Sequence, residues 1–248
     1  MHINKDMKMV DVVYLNHHLI HIIHRFGIQL GFGEKTAAEL CADYGIDLPF
    51  FLEVLNTYHD SSYFPVHHLQ QFSAGQLISY LKRTHQDYLE HRIPEIEELL
   101  NSLMERPDLE ASSRNLLRDF FQQYKHELTH HIHNEETIVY PYVLALERFT
   151  KSGNNQDLDY LLSLRYSIKK YEEGHDDVEE KLYDLKNIII KYIPKPNDSR
   201  LLNRILHELF ELEADLNNHA HMEDLILVPI VEQMESKLAE KIPANRRL

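Results

Sequence analysis

The sequence predicts an all-α protein: an up-down-up-down four-helix bundle over residues 73–248, preceded by a small helical domain over residues 1–72. Three observations carry that expectation. Apolar residues recur at helical spacing through long runs rich in Leu, Ile, Glu, Lys and Tyr. Glycine is scarce. From about Ser73 onward the helical pattern falls into four segments of more than 30 residues, each roughly 45 Å or longer, joined by short connections.

In the N-terminal domain, "VVYLNHHLIHIIHRF" is apolar-periodic and stops at Gly27, a suitable C-cap. "TAAELCADYG" opens with a capping box, Thr36 with Glu39, and stops at Gly45. "DLPFFLEVLNTY" has Asp47 at the N-cap position and Pro49 in the first turn. "HDSSYFPVHH" reads as a linker. The long segments run from about Ala74 to Glu105, Ser112 to Phe149, Gln156 to Tyr192 and Asp198 to Glu240. Strict heptads are not sustained, and Pro94, Pro141 and Pro229 interrupt the segments, which argues against an open coiled coil.

Composition narrows the function. A formal net charge of −14 repels a polyanion, so nucleic acid is not an expected partner. No stretch approaches 18 uninterrupted apolar residues, so no membrane span is expected. The N-terminus lacks a signal-peptide core and reads as mature cytoplasmic sequence. Cys41 is the one cysteine, which rules out an intrachain disulfide, and its place in "AAELCADY" reads as a small buried helix residue. The 18 histidines beside 40 acidic residues are a different matter, because imidazole and carboxylate together suit Zn, Fe, Mn or Ni.

Two stretches repeat. "HIHNEETIVYP" from His131 and "HAHMEDLILVP" from His219 share His, His, Glu, Ile and Pro at the same offsets. The first and third long segments carry a fainter pair, "THQDYLEH" with His85 and "GHDDVEEK" with His175. The bundle therefore reads as two copies of one hairpin, each with a His on its first helix and a His-x-x-x-Glu on its second. Residues four apart lie one turn apart on one helix face, so His131 with Glu135, and His219 with Glu223, can reach one interior space. Four imidazoles and two carboxylates exceed what one tetrahedral ion needs and fit two ions. His133 and His221 turn to the other side of their helices, and His130 also turns away.

The set His85, His131, Glu135, His175, His219 and Glu223, with Pro six residues after each Glu, resembles the hemerythrin-like domain, and most closely the repair-of-iron-centres di-iron proteins. The resemblance implies two non-haem Fe ions, oxo-bridged, with Glu135 and Glu223 bridging and the four histidines terminal. The donor types admit Mn or Zn as well. It also implies a role in protecting or repairing iron–sulfur proteins under nitrosative or oxidative stress, with iron–sulfur proteins or the gases O2 and NO as partners. Two alternatives stay open: an O2- or NO-binding sensor or carrier, and a transcriptional regulator using the N-terminal domain. Whether the chemistry is catalytic, and whether the chain self-associates, is left open. "IIHRFGIQLGFGEKTAAELCADYGID" is similar to the small domain that precedes the di-iron domain in that family, but Gly31 and Phe32 stand where that family carries a Cys pair. Gly174, just before His175, stands where the family can carry a carboxylate.

Further patterns are bland. His17, His21 and His24 fall at helical spacing with His18 beside them, and read as an exposed helix face. "KTAAELCADYGIDLPFFLEVLN" has the outline of a helix-turn-helix, but no Arg or Lys occurs from Thr36 to Leu81 to meet phosphate. Tyr140 and Tyr142 read as core.

Overall fold

The computed structural model describes residues 1–60, 62–174, 178–193 and 199–241, and among them every regular element is a helix. The chain forms two compact units, Met1–Thr84 with Glu223–Ile230, and His85–Met222 with Val231–Leu248.

The first unit holds α1 (Met9–Leu15), α2 (Leu19–Arg25), α3 (Ala37–Tyr44), α4 (Leu48–His59), α5 (Val66–Leu69) and most of α6 (Ala74–Asp87). The capping box at Thr36 and Glu39 forms, Gly45 ends α3 at a φ of 64°, and Asp47 caps α4 through the Phe50 N–H. Buried Asn56 bonds the backbone of Ile3 in both directions, at 2.7 and 2.9 Å, and so ties down the N-terminal arm. Phe26, Phe50, Phe51 and Tyr80 pack edge-on or tilted in the core.

Two expectations for this unit are corrected. The segment before Gly27 is not one helix: α1 stops at Leu15 because the Asn16 carboxamide accepts the His18 N–H at 3.1 Å, a local bond that competes with the helix. His17 thus falls outside the helix that carries His21 and His24, and all of His17, His18, His21 and His24 are exposed. The linker beyond Asp60 also contains the short helix α5.

In the second unit, α6 continues through a π turn (Tyr88–Arg92) into α7 (Ile93–Met104). Then come α8 (Ala111–Asn134), a π turn (Glu135–Val139) and α9 (Tyr140–Ser152). After them lie α10 (Asn155–Leu164), α11 (Ile168–Gly174), α12 (Val178–Tyr192) and α13 (Arg200–Met222). The fourth long helix runs on through a third π turn (Glu223–Leu227) into α14 (Val228–Lys241).

α7, α8, α12 and α13 pack as a closed ring of four, each against the next and the last against the first. Its interior is filled by Leu99, Leu103, Phe121, Tyr124, Leu182, Leu185, Leu209 and Leu212 among others. Every side of the ring carries an ion pair. Lys125 meets Glu97 at 2.6 Å and Arg204 meets Glu95 at 2.7 Å; Lys181 pairs with Glu127, and Lys186 with Glu213. The exposed pairs among them contribute about 0–1 kcal/mol each, so they set register more than stability; Lys186 is buried, with its ammonium over the Phe210 ring.

The third long segment is not continuous. Arg165 takes a left-handed conformation (φ 47°) and ends α10. The chain restarts at Ile168, whose N–H is accepted by the Glu235 carboxylate at 2.8 Å, and the Tyr142 hydroxyl donates to the same oxygen at 2.5 Å.

The three prolines do not end their helices. Each is the second residue after a π turn. Proline has no N–H and its ring crowds the carbonyl four residues back, so the local hydrogen bonding widens by one residue. Ile93 N–H bonds to Tyr88 O and Tyr140 N–H to Glu135 O, both five residues apart. Pro229 leaves the Leu225 carbonyl without its helical donor, and the Gln70 carboxamide supplies one at 3.0 Å.

The packing ranks two substitutions. Leu212→Ala, which opens a void in the ring, is expected to cost about 2–5 kcal/mol. Thr36→Ala, which removes a cap, is expected to cost about 1 kcal/mol. Denaturant unfolding of the two variants checks the order.

Candidate metal centre

Two of the π turns begin on the glutamates of the repeated motif, Glu135 and Glu223. That placement changes which residues face inward. At α-helical pitch Ile138 would share the face of Glu135 and Tyr140 would turn away. At the wider pitch the reverse holds: Ile138 is exposed and Tyr140 is fully buried.

Four buried side chains, His85, Glu135, His219 and Glu223, each present one ligand-type atom within 4.8 Å of the others. None is more than 5% exposed. His85 Nε2 lies 3.1 Å from His219 Nε2 and 3.2 Å from a Glu135 oxygen. His131, one turn before Glu135 on the same helix, puts Nε2 3.0 Å from the other Glu135 oxygen. His175 lies outside the described residues. Five of the six residues singled out from the repeat are therefore described, and His131 joins the group of four through Glu135. His130, His133 and His221 are exposed.

Further described residues touch the cluster, Glu136, Tyr171 and Tyr140 among them. Glu136 places a carboxylate oxygen 3.1 Å from His85 Nδ1. The Tyr171 hydroxyl donates to Glu135 at 2.9 Å. Tyr140 stacks on the His85 ring, with 5.6 Å between centroids, and its hydroxyl lies 3.5 Å from Nε2. Sequence reasoning named Tyr140 as core and passed over the other two. A signal for Tyr171 was present, because it stands four residues before His175 in the sequence.

The electrostatics follow from burial against charge pairing. Burial works to lower the pKa of His85, but hydrogen bonds and attraction from Glu135 and Glu136 outweigh it and raise the value above that of an ordinary histidine. Burial works to raise Glu135, yet hydrogen bonds from His131 and His85 hold it well below the usual carboxylate range. Imidazole and carboxylate thus stabilise one another in the buried cluster, and a bound cation can take over the imidazoles' part in offsetting the carboxylate charge.

The donor set fits a metal. It consists of imidazole nitrogen and carboxylate oxygen, which suits Fe, Mn or Zn. Two carboxylates as buried as Glu135 and Glu223 also need positive charge close by, since an uncompensated buried charge is strongly unfavourable.

Comparison with known proteins agrees with this chemistry. Residues 76–231 match the hemerythrin HHE cation binding domain, and the chain belongs to that family. The iron-sulfur cluster repair protein ScdA of Staphylococcus haemolyticus is 19% identical over 209 residues, which cover 83% of this chain and 89% of that one. Among the described residues, no helix is long and apolar enough to cross a membrane.

The geometry separates two sets of variants. Glu135→Ala and Glu223→Ala are expected to lose bound metal severely, and His133→Ala and His221→Ala to retain it. Elemental analysis of the four purified proteins is the check, and equal losses would contradict the facing described above.

Proposed function

We propose that this is a non-haem di-iron protein that protects or repairs iron–sulfur proteins under nitrosative or oxidative stress. The observation that carries the reading is the buried nitrogen–oxygen cluster, in a chain that aligns with an iron–sulfur cluster repair protein over most of both lengths. The 209 aligned residues are more than the chain holds from residue 76 to its end, so the similarity reaches into the N-terminal helices.

In this reading His85, His131, His175, His219, Glu135 and Glu223 would hold the two irons, the two glutamates serving both. Iron bound there would supply a redox-active centre open to small gases and able to give up metal. Tyr171 holds the Glu135 carboxylate in place by donating to it, and the rings of Tyr140 and Tyr88 pack against His85 and His219. The proposed partners are damaged iron–sulfur proteins together with O2 or NO, and the proposed setting is the cytoplasm.

The chain has one thiol to offer, and it is ill-suited to the task. Cys41 is 1% exposed, and burial pushes its pKa up to about 11. A thiol in that state is a poor nucleophile and a poor metal ligand. Repair by this chain would therefore run through the iron of the bundle.

Iron reconstitution under anaerobic conditions is expected to give two irons per chain. Stoichiometry at or below one, insensitive to changes in the six residues, would overturn the dinuclear reading.

Recovery of a damaged [4Fe–4S] enzyme, with NO consumption followed in parallel, tests the role. Wild type and Cys41→Ser are expected to be alike, and His85→Ala to be impaired. Loss of recovery in Cys41→Ser with the iron spectrum intact would move the chemistry to the N-terminal unit. Reversible O2 or NO binding without repair would make the protein a sensor or carrier instead.

A further inference from the structure

We propose that Glu136 is a positioning residue for His85 and that, through this histidine, it governs how readily one ion of the buried centre is released. This rests on the metal-site reading above. His85 is held at both ring nitrogens. Nε2 faces the buried cluster, 3.1 Å from His219 and 3.2 Å from Glu135, while Nδ1 faces Glu136 at 3.1 Å. A carboxylate at Nδ1 keeps the proton on that nitrogen, which leaves the Nε2 lone pair aimed at a metal and fixes the plane of the ring.

Exposure gives this bond its particular role. The His85 side chain is 1% exposed and that of Glu135 0%, but that of Glu136 is 36% exposed. The Glu136–His85 hydrogen bond therefore joins the sealed interior to bulk water. Water and competing cations can reach the outer end of this bond, and when it opens, the His85 ring loses the partner that fixes the proton on Nδ1 and its hold at Nε2 weakens. A protein that must keep iron until a recipient arrives has use for one ligand whose hold can be loosened from outside.

The repeat carries an acid at the corresponding place. Glu136 follows the first motif glutamate directly, and the second motif carries an acid at the same offset, Asp224 after Glu223. The second copy has the shorter side chain, so the two halves of the centre need not release their ions alike.

The test uses the full-length protein loaded anaerobically with ferrous ion, and a chromogenic chelator to follow extraction. In Glu136→Ala one of two iron equivalents is expected to leave about tenfold faster or more, the scale on which outer carboxylates affect metal sites. Glu136→Gln, which keeps an oxygen able to accept the Nδ1 proton, is expected to stay close to wild type, and the exposed His133→Ala to match it. The optical spectrum of the loaded protein should shift in Glu136→Ala and be restored in Glu136→Gln. Glu136→Asp, which keeps the charge but shortens the arm, is expected to be intermediate and serves if the alanine variant fails to fold. Extraction at the wild-type rate from Glu136→Ala, or from Glu136→Asp in its place, would overturn the inference. So would Glu136→Gln releasing iron as fast as Glu136→Ala. A wild type that takes up no stoichiometric iron would overturn the metal-site reading itself, a result distinct from either.

Discussion

The structure depends on keeping carboxylate charge inside a helical bundle. Glu135 and Glu223 are at 0 and 1% exposure, where an unpaired charge is strongly unfavourable. Such residues persist only if the surroundings supply positive charge in fixed geometry. Imidazoles do so in part: His131 and His85 both approach Glu135 closely enough to hold it ionised. A metal does so more fully, and the repeat of the arrangement along the chain is what two metals would require. The aliphatic ring of α7, α8, α12 and α13 then supplies the favourable free energy that a polar centre does not, through Leu and Ile packing at close-packed density.

The π turns solve a geometric problem set by that centre. A regular α-helix passing through Glu135 would offer Ile138 to the interior one turn later. The wide turn instead brings Val139 and Tyr140 inward, so the ring on His85 comes from the same helix as the carboxylate beside it. Proline makes this conformation less costly than usual, because the α-helical bond it interrupts would in any case be missing. Motif glutamate and proline, six residues apart in both copies, are thus one device: the first residue marks where the helix must widen, and the second removes the donor that would keep it narrow.

What could be read from the sequence follows from this. The pairing of His131 with Glu135 and of His219 with Glu223 was legible because helical spacing puts each pair on one helix face, and the duplication pointed to His85, with no knowledge of packing. The caps at Thr36 and Asp47 were legible for the same reason, as local chemistry. The break at Arg165 was not, since a left-handed arginine has no sequence signature and the restart after it depends on a tertiary partner, Glu235, at the Ile168 N–H. Nor was the facing of Tyr140, because α-helical periodicity is the wrong ruler for residues within a π turn. Glu136 was hidden by its neighbour: next to a motif glutamate, an exposed acid reads as ordinary surface charge until His85 arrives from another helix.

The donor chemistry also bears on what kind of repair such a chain could perform. Iron–sulfur clusters are held by thiolates, and a protein that assembled a cluster on itself would need several. Here there is one cysteine, buried, with its thiol held protonated at neutral pH. Imidazole and carboxylate hold iron as an ion and give sulfide no thiolate-supported frame. On the di-iron reading, then, this chain can store or hand over iron and can meet NO or O2 at the metal, while cluster sulfur and the thiolates that bind it belong to the recipient. On that reading selectivity would lie at release, and so on side chains such as Glu136 that link the buried cluster to water.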